Sequence, residues 1–274
     1  MGVLRTISLD EIAVQAKTSG RTSLQVMCSC LEQGIWPLRF VRNSGVFSAE
    51  QQRRLLSSKA AIIGCGGLGG HVATLLTRAG VGSLALCDGD AFSESNLNRQ
   101  QVCRESNLGC NKAEAAAAEV AALASHVTLR VYPENLTAQN ADAILLGADI
   151  ALDCLDSIPA RLLLQKQATA LGLTLIHAAI AGEEGFFALV SPGADTLQRI
   201  YESGANDAEG TNRDNREQIS LTAEAVLGVP TTTPAVIAAF QATLALQALT
   251  GKELPPPALH HLDLSALTLE TFRL

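Results

Sequence analysis

From Ala60 onward, short apolar runs alternate with longer stretches of helical spacing. Ala60-Ala61-Ile62-Ile63 runs straight into glycines and has the length and flanks of a buried parallel strand. A helix is expected over His71 to Ala79, then a strand over Ser83 to Cys87 that ends at Asp88. An alanine-rich helix over Lys112 to Ala124 and an alternating strand over His126 to Tyr132 follow. The same rhythm continues with a helix at Gln139 to Leu146, a strand at Asp149 to Asp153, a helix at Pro159 to Leu171 and a strand at Leu173 to His177. Strands and helices in this order predict an α/β fold of Rossmann-like type, with a mainly parallel sheet and helices on both faces.

After Gly182 the pattern changes. Gly185 to Val190 reads as an antiparallel or edge strand. Ser191 to Gly228 is rich in small and polar residues and predicts a long loop, which inside a domain is usually functional or mobile. Val229 to Leu249 predicts a helix, and its apolar stretch is broken by Gln241 and Gln247, as in a buried helix of a soluble fold. His260 to Asp263 and Ala266 to Phe272 predict a closing pair of strands, an antiparallel C-terminal extension. The first 35 residues are the least legible and read as a helical or partly ordered extension.

Composition narrows the class. The chain has 274 residues, 47% of them apolar and 17% charged, enough for a real core and unlike a disordered chain. Twenty Lys and Arg stand against 27 Asp and Glu, a net charge of −7, which argues against a nucleic-acid partner. No run of 18 apolar residues exists, so no membrane span is expected. Met1 to Gln15 lacks a basic segment followed by an apolar one, and seven scattered cysteines make no disulfide framework; both place the chain in the cytoplasm. No C-x-x-C pair is present, so a cysteine-built zinc site is not expected. His71 and His177 read as satisfied structural histidines, His260-His261 as a strand start, and Arg53-Arg54 as a solvated helix face.

The chemistry begins at Gly64-Cys65-Gly66-Gly67-Leu68-Gly69, a G-x-G-x-x-G turn between a strand and a helix. Such a turn lets backbone approach a phosphate at a helix N-terminus. Asp88, 24 residues after Gly64 at the end of the next strand, stands where an acid would hold ribose hydroxyls. Asp90, Asn96, Arg99 and Gln100 follow just beyond that strand, Lys112 opens the next helix, and Asp156 lies beyond a later strand at the same edge of the sheet. Arg and Lys meet phosphates, and a carboxylate facing them suits Mg²⁺. Together they read as a site for phosphoryl or nucleotidyl transfer.

These motifs resemble the ThiF/MoeB/HesA adenylyltransferases, bacterial relatives of ubiquitin-activating enzymes. The likeness runs from about Arg39 to the C-terminus and rests on Arg39-Phe40-Val41-Arg42-Asn43, the glycine turn, Asp88-x-Asp90, Asn96-Leu97-Asn98-Arg99-Gln100, Gly109-x-x-Lys112, and Asp153-Cys154-Leu155-Asp156-Ser157 with Arg161. It implies ATP- and Mg²⁺-dependent adenylation of the C-terminal glycine of a small ubiquitin-like sulfur-carrier protein ending in Gly-Gly, of thiamine or molybdenum-cofactor type. In that reading Gly64, Gly66, Gly67 and Gly69 line the nucleotide, Asp88 grips the ribose, Arg99, Asn96 and Lys112 hold the phosphates, and Asp156 holds Mg²⁺. Asp90 and Gln100 join the nucleotide site, and Arg42 reaches into a partner's site across a homodimer. Residues 1–38 would be an extension and 39–274 the catalytic domain, divided into a nucleotide-binding half over about 59–180 and a carrier-binding half with a crossover loop over about 181–274.

The chain departs from the resemblance in three places. It lacks the C-x-x-C pairs of zinc-binding relatives, so no zinc is expected; no cysteine follows Cys154, so a separate protein would supply sulfur; and Ser157 stands where asparagine is usual. Two rival readings stay open: adenylation of another carboxylate or a tRNA base, and a non-catalytic or NAD-binding Rossmann protein.

Overall fold

A computed structural model describes residues 4–207 and 226–273. Five strands carry the parallel sheet: β3 (Lys59–Ile63), β4 (Ser83–Cys87), β5 (Thr128–Tyr132), β6 (Ile150–Asp153) and β7 (Thr174–Ala181). β8 (Glu184–Val190), β9 (Ala258–Asp263) and β10 (Thr268–Arg273) extend it antiparallel, in the order β10-β9-β8-β7-β6-β3-β4-β5. The runs that fill this sheet are apolar because both faces are covered. Ile62, Leu84 and Leu86 pack under one helical layer and Ile63, Ala85 and Leu175 under the other. Each fully buried aliphatic side chain contributes about 1.5–3 kcal/mol.

The helices are α3 (Ala49–Ser57), α4 (Gly67–Ala79), α5 (Lys112–Leu123), α6 (Ala141–Leu145), α7 (Ile158–Ala170), α8 (Thr196–Asp207) and α9 (Thr232–Thr250). α4 begins four residues before the expected His71, because its glycines sit at the helix start where backbone packs closely on β3. β7 outruns its expected end at His177 by pairing Ala178–Ala181 with Glu184–Phe187 in a hairpin, which also makes β8 an internal strand. The expected loop from Ser191 to Gly228 contains α8, and its residues 208–225 lie outside the described residues. Leu197, Ile200 and Tyr201, at helical spacing, dock α8 on the second apolar layer, a three-residue stripe that the surrounding polar residues hide.

α9 is long and apolar enough by composition to cross a membrane, with a mean hydropathy of 1.3. It is nonetheless a core helix: Ile237, Ala238, Gln241 and Ala245 are fully buried. The glutamine that interrupts its apolar run is tied down, as Gln241 Nε2 donates to the carbonyls of Asp153 (2.8 Å) and Ile176 (2.9 Å).

The N-terminal segment is ordered. β1 (Thr6–Ile7), α1 (Leu9–Ser19), α2 (Ser23–Glu32) and β2 (Trp36–Pro37) enclose Ile12, Val26, Met27, Leu31 and Trp36 together with Phe40 and Leu56. Both helices begin with a capping box, Ser8 with Glu11 and Thr22 with Gln25, which satisfies backbone donors that would otherwise lack partners. Arg39 joins this unit to the sheet layer by donating to the Leu123 carbonyl at 2.9 Å. Its guanidinium also lies 3.3 Å from His126 Nδ1, and burial with that neighbouring charge pushes His126 down to about 4.

Candidate functional site

β3 leads to β4 and β5 on one side, and the chain then returns to place β6 on the other side of β3. Ligands of open α/β sheets bind at such a reversal, outside the carboxyl ends of the strands. A cavity of about 240 Å³ opens there, walled by Gly64, Gly66 and Gly67 from the turn after β3 and by Asp88 and Asp90 from the end of β4. Asn96, Arg99, Gln100 and Lys112 form another wall, and Asp156 stands beyond β6.

The glycine turn has a steric origin. Gly64 has φ +91°, and a Cβ there would lie 2.4 Å from the Cys154 carbonyl oxygen, so the turn passes within contact of the β6 end. Gly69 does not line the cavity; a Cβ on it would sit 1.8 Å from the Gly64 carbonyl oxygen. It lets α4 press against the turn and so directs the helix N-terminus at the cavity. Asp88 is shaped by the same turn. Its Oδ2 accepts from the Cys65 N–H at 2.7 Å and its Oδ1 from the Asp90 N–H at 2.8 Å. Burial holds its carboxyl above the ordinary range despite those donors.

Lys112 is the first residue of α5 and is buried, an unfavourable place for a cation because the helix dipole is positive there. Asp90 compensates, its Oδ2 accepting from Lys112 Nζ at 2.9 Å. Asn111 caps the helix through the Ala113 and Glu114 N–H groups and donates to the carbonyls of Asp88 and Asp90, so the lysine is set rigidly against the end of β4. Arg99 is half-buried and donates to the Ser95 carbonyl (2.8 Å) and Asn98 Oδ1 (3.1 Å). Asn98 in turn donates to the Val229 carbonyl at 3.1 Å, fastening this loop to the approach to α9. Buried Asn96 caps its own turn by accepting from the Ser93 N–H.

Gln100 is buried with its Oε1 unpaired at the cavity wall. An orphaned acceptor there suits a donor on a ligand, such as a sugar hydroxyl or a metal-bound water. Asp156 is exposed at the cavity rim. Among the described residues no three His, Cys, Asp or Glu side chains group as a metal cage. An exposed carboxylate on a cavity that also holds Arg99 and Lys112 fits Mg²⁺, which is held by one or two carboxylates plus phosphate oxygens.

The structure therefore brings ten of the expected positions to one cavity: Gly64, Gly66, Gly67, Asp88, Asp90, Asn96, Arg99, Gln100, Lys112 and Asp156. Arg42 is exposed on a short 3-10 helix, Leu38–Asn43, before α3 and does not line it. Asn135, Leu136 and Ile180 also wall the cavity without having been anticipated. Asn135 and Leu136 follow β5, whose position beside β4 is a matter of strand order and carries no local signal.

The family model described as ThiF family matches residues 40–274. Over 194 residues the chain is 35% identical to "Adenylyltransferase and sulfurtransferase uba4" of Aspergillus fumigatus, covering 67% of this chain and 39% of that one. It is 34% identical over 152 residues to "SAMP-activating enzyme E1" of Haloferax volcanii, with 56% of each covered. The chain thus spans about two fifths of the first relative's length and just over half of the second's. Among solved structures, E. coli MccB with ATP aligns over 86% of this chain and 71% of its own, with TM-score 0.68 and 20% identity. PaaA aligns over 81% and 75%, with TM-score 0.65 and 20% identity. These two show the shared fold, a mixed α/β architecture with a mostly parallel sheet. With residues 40–274 inside the family model, this chain belongs to the ThiF family.

Proposed function

We propose that the chain is an ATP- and Mg²⁺-dependent adenylyltransferase that activates the C-terminal glycine carboxylate of a small ubiquitin-like sulfur carrier, of thiamine or molybdenum-cofactor type. The observation that carries this reading is the single cavity to which the glycine turn, Asp88, Arg99, Lys112 and Asp156 converge from four separate parts of the chain. Relatives named as adenylyltransferase and as SAMP-activating enzyme support the same reading.

In this reaction the carrier carboxylate oxygen attacks the α-phosphorus of ATP, the bond to the β-phosphate oxygen breaks, and pyrophosphate leaves. Two anions must meet, so the site's task is to neutralise charge with groups already in place. The N–H groups of Gly66 and Gly67 at the start of α4 face the phosphates, Asp88 accepts from the ribose, and Lys112 with Arg99 balances the charge on the departing pyrophosphate. Gln100 Oε1 takes a donor from the nucleotide or its hydration. Mg²⁺, when bound at Asp156, supplies further charge neutralisation at the phosphates.

ATP–pyrophosphate exchange tests the reading. Labelled pyrophosphate should enter ATP only when a Gly-Gly-ended carrier is present; no exchange with any such carrier, or tight binding of a dinucleotide instead, would refute it.

The exposed Arg42 fits an arginine offered to a second copy, and we propose a homodimer on that ground. Arg42→Ala should leave ATP affinity largely unchanged while impairing exchange. Mixing it with Asp156→Asn should restore part of the activity, because half of the mixed sites then carry both native residues. Full activity in a strictly monomeric preparation would exclude sharing.

A further inference from the structure

Neither Arg161 nor His177 lines the cavity or takes part in the chemistry above. Both are buried, and they belong to a closed ring of hydrogen bonds. Arg161 donates through Nη2 to the Leu155 carbonyl at 2.5 Å and through Nη1 to Tyr201 Oη at 3.2 Å. Tyr201 Oη lies 3.2 Å from His177 Nε2, and His177 Nδ1 lies 2.7 Å from Asp153 Oδ2. Asp153 Oδ1 closes the ring by accepting from the Leu155 N–H at 3.1 Å.

The directions of these bonds are set by chemistry. The Asp153 carboxylate only accepts, so His177 Nδ1 carries the hydrogen. Burial lowers the imidazole's affinity for a second proton, leaving Nε2 to accept from the Tyr201 hydroxyl. Burial likewise keeps Tyr201 in its phenol form, so its oxygen accepts from Arg161 while its hydrogen goes to His177.

The ring therefore grips Leu155 from both sides, by its N–H and by its carbonyl, and the held carbonyl belongs to the peptide that precedes Asp156. Among the described residues Tyr201 is the member carried by α8, and the others named lie on β6, β7, α7 or the loop after β6. A network satisfied in this way behaves as a unit in a low-dielectric interior.

We propose that Tyr201 is a positioning residue: through this ring its hydroxyl, rather than the general seating of α8, sets where the Asp156 carboxylate stands, and hence how tightly the site takes a magnesium-bound polyphosphate. The inference rests on Asp156 as the metal-facing carboxylate, but it does not depend on which carboxylate is adenylated. A merely structural tyrosine would affect stability alone. The ring instead predicts a specific loss that follows the metal.

Calorimetric binding of ATP to the full chain, with Mg²⁺ and then in excess EDTA, separates these. Tyr201→Phe should weaken binding of magnesium ATP about tenfold, the size of one charge-assisted hydrogen bond, and leave the affinity in EDTA unchanged. Gln165→Ala is the matched control. Gln165 Oε1 accepts from the Leu197 N–H at 2.6 Å and its Nε2 donates to Gln198, so its loss loosens α8 without touching the ring. Its magnesium ATP affinity should stay within about twofold of the parent even where its melting temperature falls further. His177→Gln, which can still donate to Asp153 and accept from Tyr201, should bind like the parent, whereas His177→Leu should fail like Tyr201→Phe. Equal magnesium ATP affinity in Tyr201→Phe and the parent, an equal loss in Gln165→Ala, or His177→Leu binding as well as His177→Gln would each overturn the proposal. Binding needs no carrier, so a parent that binds magnesium ATP but adenylates no carrier would end the functional reading and leave this inference tested in its own right.

Discussion

Lys112→Ala should lower ATP–pyrophosphate exchange by about 10²–10³, equivalent to ~2.7–4 kcal/mol, as removal of a preorganised charge donor does. The side chain is only 11% exposed and its ammonium is paired with Asp90, so the charge is already placed before any substrate arrives. The folded state gives little reason for such a placement. A buried cation on the first residue of a helix opposes the dipole, and its partner carboxylate is 59% exposed, so the pair itself stabilises the fold weakly. A position that breaks a local rule in this way belongs to function. Because the Asp90 side chain is already mostly in water, Lys112→Ala should fold normally. The loss should therefore appear in exchange rate with an unchanged urea midpoint. Near-parental exchange in a folded variant would remove Lys112 from the site.

Gly69→Ala should act in the opposite manner, through the fold. Its new methyl carbon would lie 1.8 Å from the Gly64 carbonyl oxygen and 3.3 Å from Ile62 Cγ2, and neither the backbone oxygen nor the core isoleucine can swing away. Either α4 withdraws from β3 or the turn shifts, and both move the helix N-terminus off the cavity. A destabilisation of ~3 kcal/mol or more is expected, read as a lower urea midpoint, together with loss of ATP binding. Gly67→Ala supplies the contrast. A methyl there meets only Pro234 Cβ at 3.6 Å and Ile180 Cδ1 at 3.8 Å, ordinary contacts, so stability should stay within about 1 kcal/mol of the parent. Equal stability of the two variants would show that the close approach at Gly69 is not what seats the helix.

The two variants divide the glycine motif into parts that look alike in the sequence. Gly64, Gly66 and Gly69 satisfy the pattern and Gly67 fills one of its free positions, yet of these four only Gly69 does not reach the cavity. Other features are legible in the sequence as local patterns. Ser8-x-x-Glu11, Thr22-x-x-Gln25 and Ser48-x-x-Gln51 all form capping boxes, and the first two mark the helices of the N-terminal segment. The stripe Leu197, Ile200, Tyr201 likewise marks α8 within a stretch whose composition suggests only loop.

Local pattern alone was enough to establish the alternating α/β rhythm, the glycine turn, and a set of cations and carboxylates just beyond strand ends. It could do so because strand burial, helix starts and phosphate-binding turns each place demands on residues near one another in the chain. Only the folded molecule decided which residues meet. Strand order put the loops after β3, β4 and β6 side by side, added Asn135 and Leu136 after β5, and kept Arg42 apart. It also turned His177, by type alone an ordinary buried histidine, into a link between α8 and the loop that bears Asp156. That link joins Leu155, Arg161, His177 and Tyr201, and contacts between groups so far apart along the chain leave no periodic trace in it.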